Sequence, residues 1–211
     1  MKVPFNRLTE AKMRKARQGA DPSPESGESR IPPGQRRVEK LPVLDLGIQP
    51  GIDVADWRLE ILGAVKRARS FDWEQLRELP IHEVVADIHC VTRWSMLDVA
   101  WRGVRPRDLF EACGVLPEAT HVTLHGYDDY TTNLPLEALR DDDVLIAFEL
   151  QGRPLPRQHG GPVRLVVPKR YFWKSAKWLR AIEVHVGDRP GFWEVRGYHN
   201  DADPWKEERF G

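Results

Sequence analysis

Cysteine is scarce in this chain, and positive and negative charge are balanced. The 211 residues contain two cysteines, Cys90 and Cys113, and 32 Lys or Arg against 32 Asp or Glu. Two cysteines so far apart exclude a disulfide framework, a cysteine-rich zinc site and a c-type haem attachment motif. A net charge of zero gives no overall basic excess for nucleic acid or for a membrane surface, so we expect neither as a partner.

Long apolar runs and regular repeats are also missing. No stretch is long enough to span a membrane, and the first residues lack the apolar segment of a secretory signal. We therefore expect the protein to stay in the cytoplasm. No pair of histidines lies on a predicted helix with the spacing that zinc hydrolases use. The absence of regular strand–helix alternation argues against a doubly wound nucleotide-binding fold.

The first forty residues differ in composition from the rest. Residues 1–40 carry twice as many Lys and Arg as Asp and Glu, and Pro, Ser and Gly are concentrated between residues 21 and 34. This composition is typical of a basic, mostly flexible tail, in which residues 9–18 are predicted to form a short helix. Because a domain typically contains roughly 100 to 200 residues, we predict one folded domain, residues 41–211.

The folded part is predicted to be an α+β domain rich in β-structure. Its strand candidates are short apolar or alternating runs at 57–61, 82–88, 99–104, 121–124, 144–150, 163–167 and 181–186. Two short helices are predicted, at 72–79 and at 106–112. Helices so few and short favour mixed sheets, with functional residues on the loops at strand ends.

Residues 159–180 join a buried type of strand to a loop rich in cations and aromatic rings. Gly160 and Gly161 leave the backbone free to turn or to approach a ligand closely. The run 163–167 is apolar except for Arg164, and a buried arginine needs an anionic partner because an unpaired buried charge costs on the order of several kcal/mol. Its planar guanidinium suits phosphate or carboxylate. The segment indicates a site for a large anion, although a solvated amphipathic face would also explain its lysines.

Cys90 lies at the end of a predicted strand, in the sequence DIHCVTRWSM at 87–96. A lone cysteine beside apolar residues is most often a small buried side chain. A thiolate is also a soft ligand for a soft metal. This segment alone leaves both interpretations open. Cys113, which precedes Gly114 at the end of a predicted helix, is interpreted as a core residue.

Five segments taken together carry a more specific indication. They are the cysteine segment 87–96, YTTNLPL at 130–136, residues 143–156, residues 159–180 and GFWEVRGYHN at 191–200. Over about residues 42–210 the chain resembles the molybdopterin-binding domain of the sulfite oxidase family, most closely its small single-domain bacterial members. The resemblance implies the β-rich α+β fold of that family, an oxidoreductase activity and a molybdenum–molybdopterin cofactor.

The resemblance also implies roles for individual residues. Cys90 is expected to be the one protein ligand to molybdenum, while the other sulfurs come from the dithiolene of the pterin. Arg164 is expected to bind the phosphate end of the cofactor. The cofactor-binding residues implied are His159, Arg164, Ser175, Ala176 and Lys177. A charge-assisted contact from a lysine or an arginine to phosphate fits this chemistry.

The sequence departs from the sulfite oxidases where the substrate is expected to bind. Those enzymes place paired arginines four and five residues after the ligand cysteine, and these positions are Trp94 and Ser95 here. The predicted substrate pocket is flanked by Arg93, Trp94 and either Tyr127 or His125. An aromatic wall with one cation suits a neutral sulfoxide or N-oxide at least as well as sulfite.

Three functions are consistent with the sequence. The first is a molybdenum-cofactor oxidoreductase that transfers an oxygen atom, or carries out other two-electron chemistry, on a small substrate of the sulfite, sulfoxide or N-oxide type. Because no haem or iron–sulfur motif is present, its electrons would pass to or from a separate redox protein or a soluble donor or acceptor. The second is a non-catalytic molybdopterin carrier. The third, a nucleic-acid-binding module, would use the basic and aromatic segment 164–180.

Overall fold

Eleven strands form two β-sheets in the part of the chain that the computed structural model describes, residues 7–17 and 30–211. The α-helices of this part are α1 (Arg7–Arg17), α2 (Trp73–Glu78) and α3 (Pro106–Cys113). The strands are β1 (Arg36–Arg37), β2 (Leu59–Gly63), β3 (Arg69–Phe71), β4 (Ile81–Cys90), β5 (Trp94–Val104), β6 (His121–Gly126), β7 (Thr131–Pro135), β8 (Leu145–Leu150), β9 (Arg153–Pro154), β10 (Arg164–Val166) and β11 (Leu179–His185). Short 3-10 helices are formed by Leu136–Arg140, Arg157–His159, Phe172–Lys174 and Glu194–Arg196.

The first sheet is organised around the long strand β5. Strand β4 pairs with it antiparallel, so that Cys90 lies opposite Trp94 next to the turn between them. At this same end β1 pairs with β5 in parallel, and at the far end β8 pairs with β5 and carries β9 and β10. The turn after Cys90 is also held by a residue outside the β4–β5 hairpin, because Gln35 Nε2 donates a hydrogen bond to the Cys90 carbonyl at 3.0 Å.

The second sheet has the strand order β3–β2–β11–β6–β7. Strand β11 is parallel to β2 and antiparallel to β6. In β2, Leu59 and Ile61 are fully buried while Glu60 is exposed, which is the two-residue alternation of a strand with one covered face. Because β11 begins at Leu179, the loop rich in cations and aromatic rings leads directly into the central strand of this sheet.

Helix boundaries follow from local capping. Asp72 accepts a hydrogen bond from the backbone N–H of Gln75, whose side chain accepts one from the backbone N–H of Asp72, so a capping box starts α2. Pro106 occupies the first turn of α3, where its missing N–H costs nothing. Gly114 ends α3 in the left-handed conformation, with φ of 67°.

The predicted fold class is confirmed, since the structure is a β-rich α+β arrangement of mixed sheets with few helices. All seven predicted strands and both predicted helices of the domain are present, with ends shifted by a few residues. Cys113 is fully buried, as expected of a core residue. Strands β1, β3, β7 and β9 were not predicted. They are short, and their residues lack a clear apolar alternation.

In the N-terminal part, the short helix predicted at residues 9–18 is present as α1, and the described residues pack on the rest of the protein. Residues 7–17 form α1, in which Thr9 and Ala16 are fully buried, and residues 36–37 pair with β5. Residues 1–6 and 18–29, including the last residue of the predicted helix, lie outside the described residues. The domain boundary at residue 40 stays a prediction. No helix of the described part is long and apolar enough to cross a bilayer.

Candidate active site

A cavity receives side chains from α1, from the turn after β4 and from the loops before β2, β7, β10 and β11. It contains about 790 Å³ of empty space, part of which is open to solvent. Four of the predicted cofactor-binding residues and two of the predicted catalytic residues line it: His159, Arg164, Ser175, Lys177, Cys90 and Trp94.

Cys90 presents its sulfur to this cavity from the end of β4. Its side chain is 6% exposed, and Sγ lies 3.2 Å from the hydroxyl oxygen of Thr92. Its carbonyl accepts hydrogen bonds from Gln35 and from the backbone N–H of Arg93, so the backbone of the turn is fixed. Burial raises the pKa of the Cys90 thiol, and the hydrogen bonds from Thr92 act in the opposite direction.

Arg164 enters the cavity from β10 and is 1% exposed. Its guanidinium donates to the carbonyls of His159 at 2.7 Å, of Ser175 at 2.8 Å and of Leu165 at 3.2 Å. Within the described residues no carboxylate lies within 4 Å of it, and burial lowers its pKa to about 9. A buried cation that contacts only neutral acceptors is suited to receive an anionic group.

The segment that contains Lys177 packs directly on Gly160, and this contact places Lys177 beside Arg164. A Cβ atom on Gly160 would lie 2.9 Å from Cβ of Lys177, and Gly160 has φ of 104°. The ammonium of Lys177 donates to the Gln158 carbonyl at 2.8 Å. Burial, together with the charge of Arg164, lowers the pKa of Lys177 to about 7. The close approach therefore places two poorly hydrated cations side by side.

The other three predicted cofactor-binding residues, Ser175, Ala176 and His159, have different surroundings. Ser175 Oγ lines the cavity and accepts a hydrogen bond from the backbone N–H of Val167 at 2.9 Å. Ala176 does not line it; its carbonyl accepts from Leu165 N–H at 2.9 Å and holds the loop on β10. Burial lowers the pKa of His159 to about 4, so its ring is neutral at pH 7.

Seven aromatic residues contribute to the cavity wall. These are Trp94, Tyr130, Phe172, Trp173, Trp178, Trp193 and Tyr198. The indole N–H of Trp94 is buried and has no hydrogen-bond partner in the described structure. Such a donor beside a cavity is suited to a ligand acceptor, because a buried N–H without one costs roughly 1–3 kcal/mol.

Two predicted catalytic residues are not brought to the cavity. Arg93 lies in the turn with φ of 68°, and its guanidinium is 4.0 Å from Glu207. The hydroxyl of Tyr127 donates to the Arg58 carbonyl and accepts from the Arg58 N–H. The alternative flanking residue, His125, lies 3.3 Å from Glu183 and outside the cavity lining. The predicted single cation beside Trp94 is therefore not Arg93.

The cavity also contains polar residues that sequence reasoning missed, namely Lys12, Asp45, Thr92 and Asp128. Burial raises the pKa of Asp128 to about 6. Thr92 could have been found from its position two residues after Cys90. The other three come from distant segments with no local pattern, so only the fold brings them together.

The basic segment 164–180 does not present a continuous basic face. Lys174 is fully buried against Glu194 at 2.7 Å, and Arg170 pairs with Asp201 at 3.0 Å. Lys169 is exposed but lies 3.0 Å from Asp141. These pairs involve three of the six cations that motivated the nucleic-acid hypothesis.

The donor set of the cavity fits the molybdenum–molybdopterin cofactor. In the described part of the chain, no group of three or more His, Cys, Asp or Glu side chains could hold a metal ion by itself. Cys90 offers one soft sulfur donor, so the other donors of a bound metal must come from a cofactor or solvent. The unpaired Arg164 and the unpartnered indole N–H of Trp94 offer contacts for the organic part of such a cofactor.

Comparison with known proteins identifies relatives of the whole folded part. The family model described as oxidoreductase molybdopterin-binding domain matches residues 46–193. An uncharacterized oxidoreductase YuiH of Bacillus subtilis is 44% identical over 182 residues, which are 86% of this chain and 92% of that protein. The methionine-sulfoxide reductase catalytic subunit MsrP of Gluconobacter oxydans is 32% identical, over 70% of this chain and 54% of that protein.

Two further relatives are larger proteins that this chain matches only in part. Mouse mitochondrial sulfite oxidase is 29% identical over 71% of this chain and 33% of its own length. The crystal structure of the sulfane dehydrogenase SoxCD from Paracoccus pantotrophus superposes with a TM-score of 0.60 at 25% identity, covering 66% of this chain and 40% of that one. These matches confirm the predicted oxidoreductase class and the predicted molybdenum–molybdopterin cofactor. The chain belongs to the oxidoreductase molybdopterin-binding domain family.

Proposed function

We propose that this protein is a molybdenum–molybdopterin enzyme that transfers an oxygen atom to or from a small substrate, with Cys90 as the protein ligand to molybdenum. The observation that carries this proposal is the position of the Cys90 sulfur in the same cavity as Arg164, a buried cation without a carboxylate partner. A soft metal donor and an anion site in one cavity suit a cofactor that carries both a metal and a phosphate.

The cofactor would be held mainly by the loop before β11. Arg164 and Lys177 would bind its phosphate end, because both are poorly hydrated and adjacent. Ser175 already accepts a hydrogen bond from the Val167 N–H, so its hydroxyl proton is available for a pterin acceptor. The neutral ring of His159 has one N–H that can donate a hydrogen bond and one nitrogen that can accept a hydrogen bond.

When bound, the cofactor supplies two-electron redox chemistry and a site for oxygen-atom exchange, and the protein supplies orientation and charge. The aromatic rings of the cavity lining would limit the access of water to a bound cofactor. A drier environment strengthens the attraction of Arg164 and Lys177 for an anion. The indole N–H of Trp94, buried without a partner, would orient a polar atom of the cofactor or substrate.

The names of two relatives, a sulfite oxidase and a methionine-sulfoxide reductase, support a compound of the sulfite, sulfoxide or N-oxide type. The electrons would be exchanged with a separate redox protein or a soluble carrier. One relative is named as a catalytic subunit, which supports a partner of that kind.

The ligand role of Cys90 is tested by comparing Cys90→Ser with wild type, both made in a host that synthesises the cofactor. We expect about one molybdenum per wild-type chain and little molybdenum in Cys90→Ser, because the single protein–metal bond is lost. Metal analysis and fluorescence of the released pterin measure both components. Cys113→Ser is the matched control, since Cys113 is buried in the core away from the cavity lining. Full metal content and activity in Cys90→Ser would overturn the assignment.

Turnover distinguishes an enzyme from a carrier. The loaded wild type should oxidise sulfite, or reduce a sulfoxide or an N-oxide, with an artificial electron carrier in place of the partner. Protein that holds a full complement of molybdenum and pterin but shows no turnover with these three compound types would favour the carrier.

A further inference from the structure

The turn after Cys90 is held at two successive carbonyls by residues outside the β4–β5 hairpin. The Cys90 carbonyl accepts a hydrogen bond from Gln35 Nε2 at 3.0 Å. The next carbonyl, of Val91, accepts one from Nη1 of Arg209 at 3.0 Å. Because a carbonyl oxygen lies in the plane of its peptide unit, each hydrogen bond limits the rotation of one unit of the turn. Arg209 therefore fixes the peptide unit that joins Val91 to Thr92.

Arg209 comes from the C-terminal segment, outside residues 46–193, which match the family model. Its side chain is buried, with 4% of the residue exposed. The second terminal nitrogen donates to the Pro33 carbonyl at 3.3 Å and lies 3.5 Å from Glu207, and the guanidinium carbon is 4.8 Å from the ring centroid of Tyr171. Contacts on several sides leave the guanidinium little freedom. A charged donor enclosed in this way is suited to hold one backbone carbonyl in a single orientation.

Thr92 connects this arrangement to the sulfur. Its side chain is buried, and Oγ1 lies 3.2 Å from Sγ of Cys90. A thiolate bound to a metal has no hydrogen to donate, so in the loaded protein the hydroxyl of Thr92 must be the donor. A hydrogen bond to a metal-bound sulfur withdraws electron density from the sulfur and tunes the reduction potential of the metal. The position of the Thr92 hydroxyl would therefore affect the bound metal.

We propose that Arg209 is a positioning residue that keeps the hydroxyl of Thr92 against the Cys90 sulfur and thereby raises the reduction potential of the bound metal. This inference rests on the proposed function, in which Cys90 is the metal ligand. The contacts run from the guanidinium to the Val91 carbonyl, through one peptide unit to Thr92, and from the Thr92 hydroxyl to the sulfur. Arg209 itself is not part of the cavity lining, so it acts through the turn.

The test is a potentiometric titration of the metal in wild type, Thr92→Val, Arg209→Met and the double variant, all loaded with cofactor. We expect Thr92→Val to lower the midpoint potential, because the sulfur becomes a stronger donor and stabilises the oxidised metal. Arg209→Met should also lower it. In the Thr92→Val background, replacing Arg209 should add little to the shift, since the hydroxyl on which Arg209 acts is already absent.

Lys206→Met is the matched control. It removes a cation of the same C-terminal segment whose side chain is 63% exposed, and it should leave the midpoint potential unchanged. Metal and pterin analysis, together with denaturant unfolding, establishes which variants are folded and loaded. If Arg209→Met does not retain the cofactor, Arg209→Lys replaces it in the comparison, because one ammonium substitutes for the planar fork of donors.

Each outcome separates this inference from the proposed function. An unchanged potential in Thr92→Val or in Arg209→Met overturns the positioning role and leaves the ligand role of Cys90 standing. Shifts that add in full in the double variant also overturn it, because Arg209 would then act by its charge alone. Loss of cofactor from both Arg209 variants but not from Thr92→Val overturns it as well. Wild-type protein without molybdenum overturns the proposed function, and this inference with it.

Discussion

At the scale of single residues, the cavity is defined by cations that are poorly hydrated before any ligand binds. Arg164 donates to backbone carbonyls and lies 4.1 Å from the ring centroid of Phe172, without a carboxylate partner among the described residues, and Lys177 lies beside it. Burying a cation disfavours its charged form, which is the cause of both lowered pKa values. The residues that prepare the site for an anion therefore reduce the stability of the protein that has no ligand.

This cost predicts a pH dependence that Lys177 controls. Its pKa is about 7 in the folded protein and returns to 10.5 on unfolding, so the unfolded state binds the proton more tightly. The destabilisation is fully present below pH 7 and disappears as the pH rises toward 10.5. The free energy of unfolding of cofactor-free wild type should therefore rise across this window relative to Lys177→Met, by at most a few kcal/mol. Urea titrations at a series of pH values measure the difference.

The exposed Lys15 provides the control for this experiment. Lys15→Met should show the pH dependence of wild type, because its ammonium stays hydrated in both states. Parallel stability curves for wild type and Lys177→Met, or a difference of opposite sign, would show that Lys177 is not held in an unfavourable environment.

The sequence predicted some residues of the site and not others for identifiable reasons. Arg164 could be predicted as a site residue because a charged residue inside an apolar strand needs an anionic partner. Cys90 required the wider resemblance, since its own neighbours are equally compatible with a core position. Arg93, which has a positive φ in the tight turn, lies outside the cavity lining, and its predicted role stays a prediction. Lys12 reaches the cavity only through the docking of a separate helix.

At the scale of elements, the site depends on the close contact between the loop at residues 157–161 and the loop before β11. The Gly160 carbonyl accepts from the Trp178 N–H at 3.1 Å, and the Trp178 indole N–H donates to the Arg157 carbonyl at 2.8 Å. Lys177 lies in the loop before β11, so its position depends on how closely the backbones of these two loops approach each other.

Gly160→Ala should disturb this contact directly. The new Cβ would be 2.9 Å from Cβ of Lys177 at a backbone φ of 104°, so both steric overlap and backbone strain arise. We expect a loss of about 2–4 kcal/mol in the free energy of unfolding and a reduced cofactor content. Denaturant unfolding and metal analysis measure the two effects.

Gly152→Ala is the matched control for Gly160→Ala. Gly152 also has a positive φ, of 69°, but nothing lies within 4 Å of the added Cβ. It should lose only about 1–2 kcal/mol from backbone strain and keep its cofactor. Equal losses in the two variants would mean that the packing of Gly160 on Lys177 is not important.

The helices and strands with the strongest local sequence patterns were predicted most accurately. Helices α2 and α3 were placed closely because Asp72, Pro80, Pro106 and Gly114 mark their ends. The buried strands were found because apolar residues dominate them. Strand β7, with the sequence TTNLP, exists because β6 pairs with it over five residues, and that tertiary pairing overrides a weak local preference.

At the scale of the whole molecule, a buried polar network ties β7 to the C-terminal segment around the cavity wall. Lys174 and Glu194 form an ion pair at 2.7 Å, and both side chains are at most 2% exposed. Glu194 also accepts from Thr132 at 3.0 Å and from the indole N–H of Trp173 at 2.9 Å. Lys174 donates to the carbonyl of Asn133 at 2.9 Å. Segments more than sixty residues apart are thereby fixed together.

Lys174→Met should be among the more destabilising substitutions, because it leaves Glu194 buried without its cation. We expect a loss of about 3–5 kcal/mol, and a smaller loss when Glu194→Gln is added to the same chain, since the stranded charge is then removed. Lys169→Met, which breaks an exposed pair with Asp141, should cost at most about 1 kcal/mol. Denaturant unfolding of the four proteins measures these differences. A double variant less stable than Lys174→Met would contradict the explanation.

The pairing of β4 with β5 restricts the number of residues in the hairpin turn between them. Three residues separate Cys90 from Trp94, and the ladder pairs these two residues directly. Because a slip of one position in a β ladder reverses the face to which a side chain points, an insertion or deletion in β4 next to this turn would direct the thiol away from the cavity. Homologous genes that keep the same chemistry are therefore expected to conserve the spacing between these two positions as strictly as the sulfur itself.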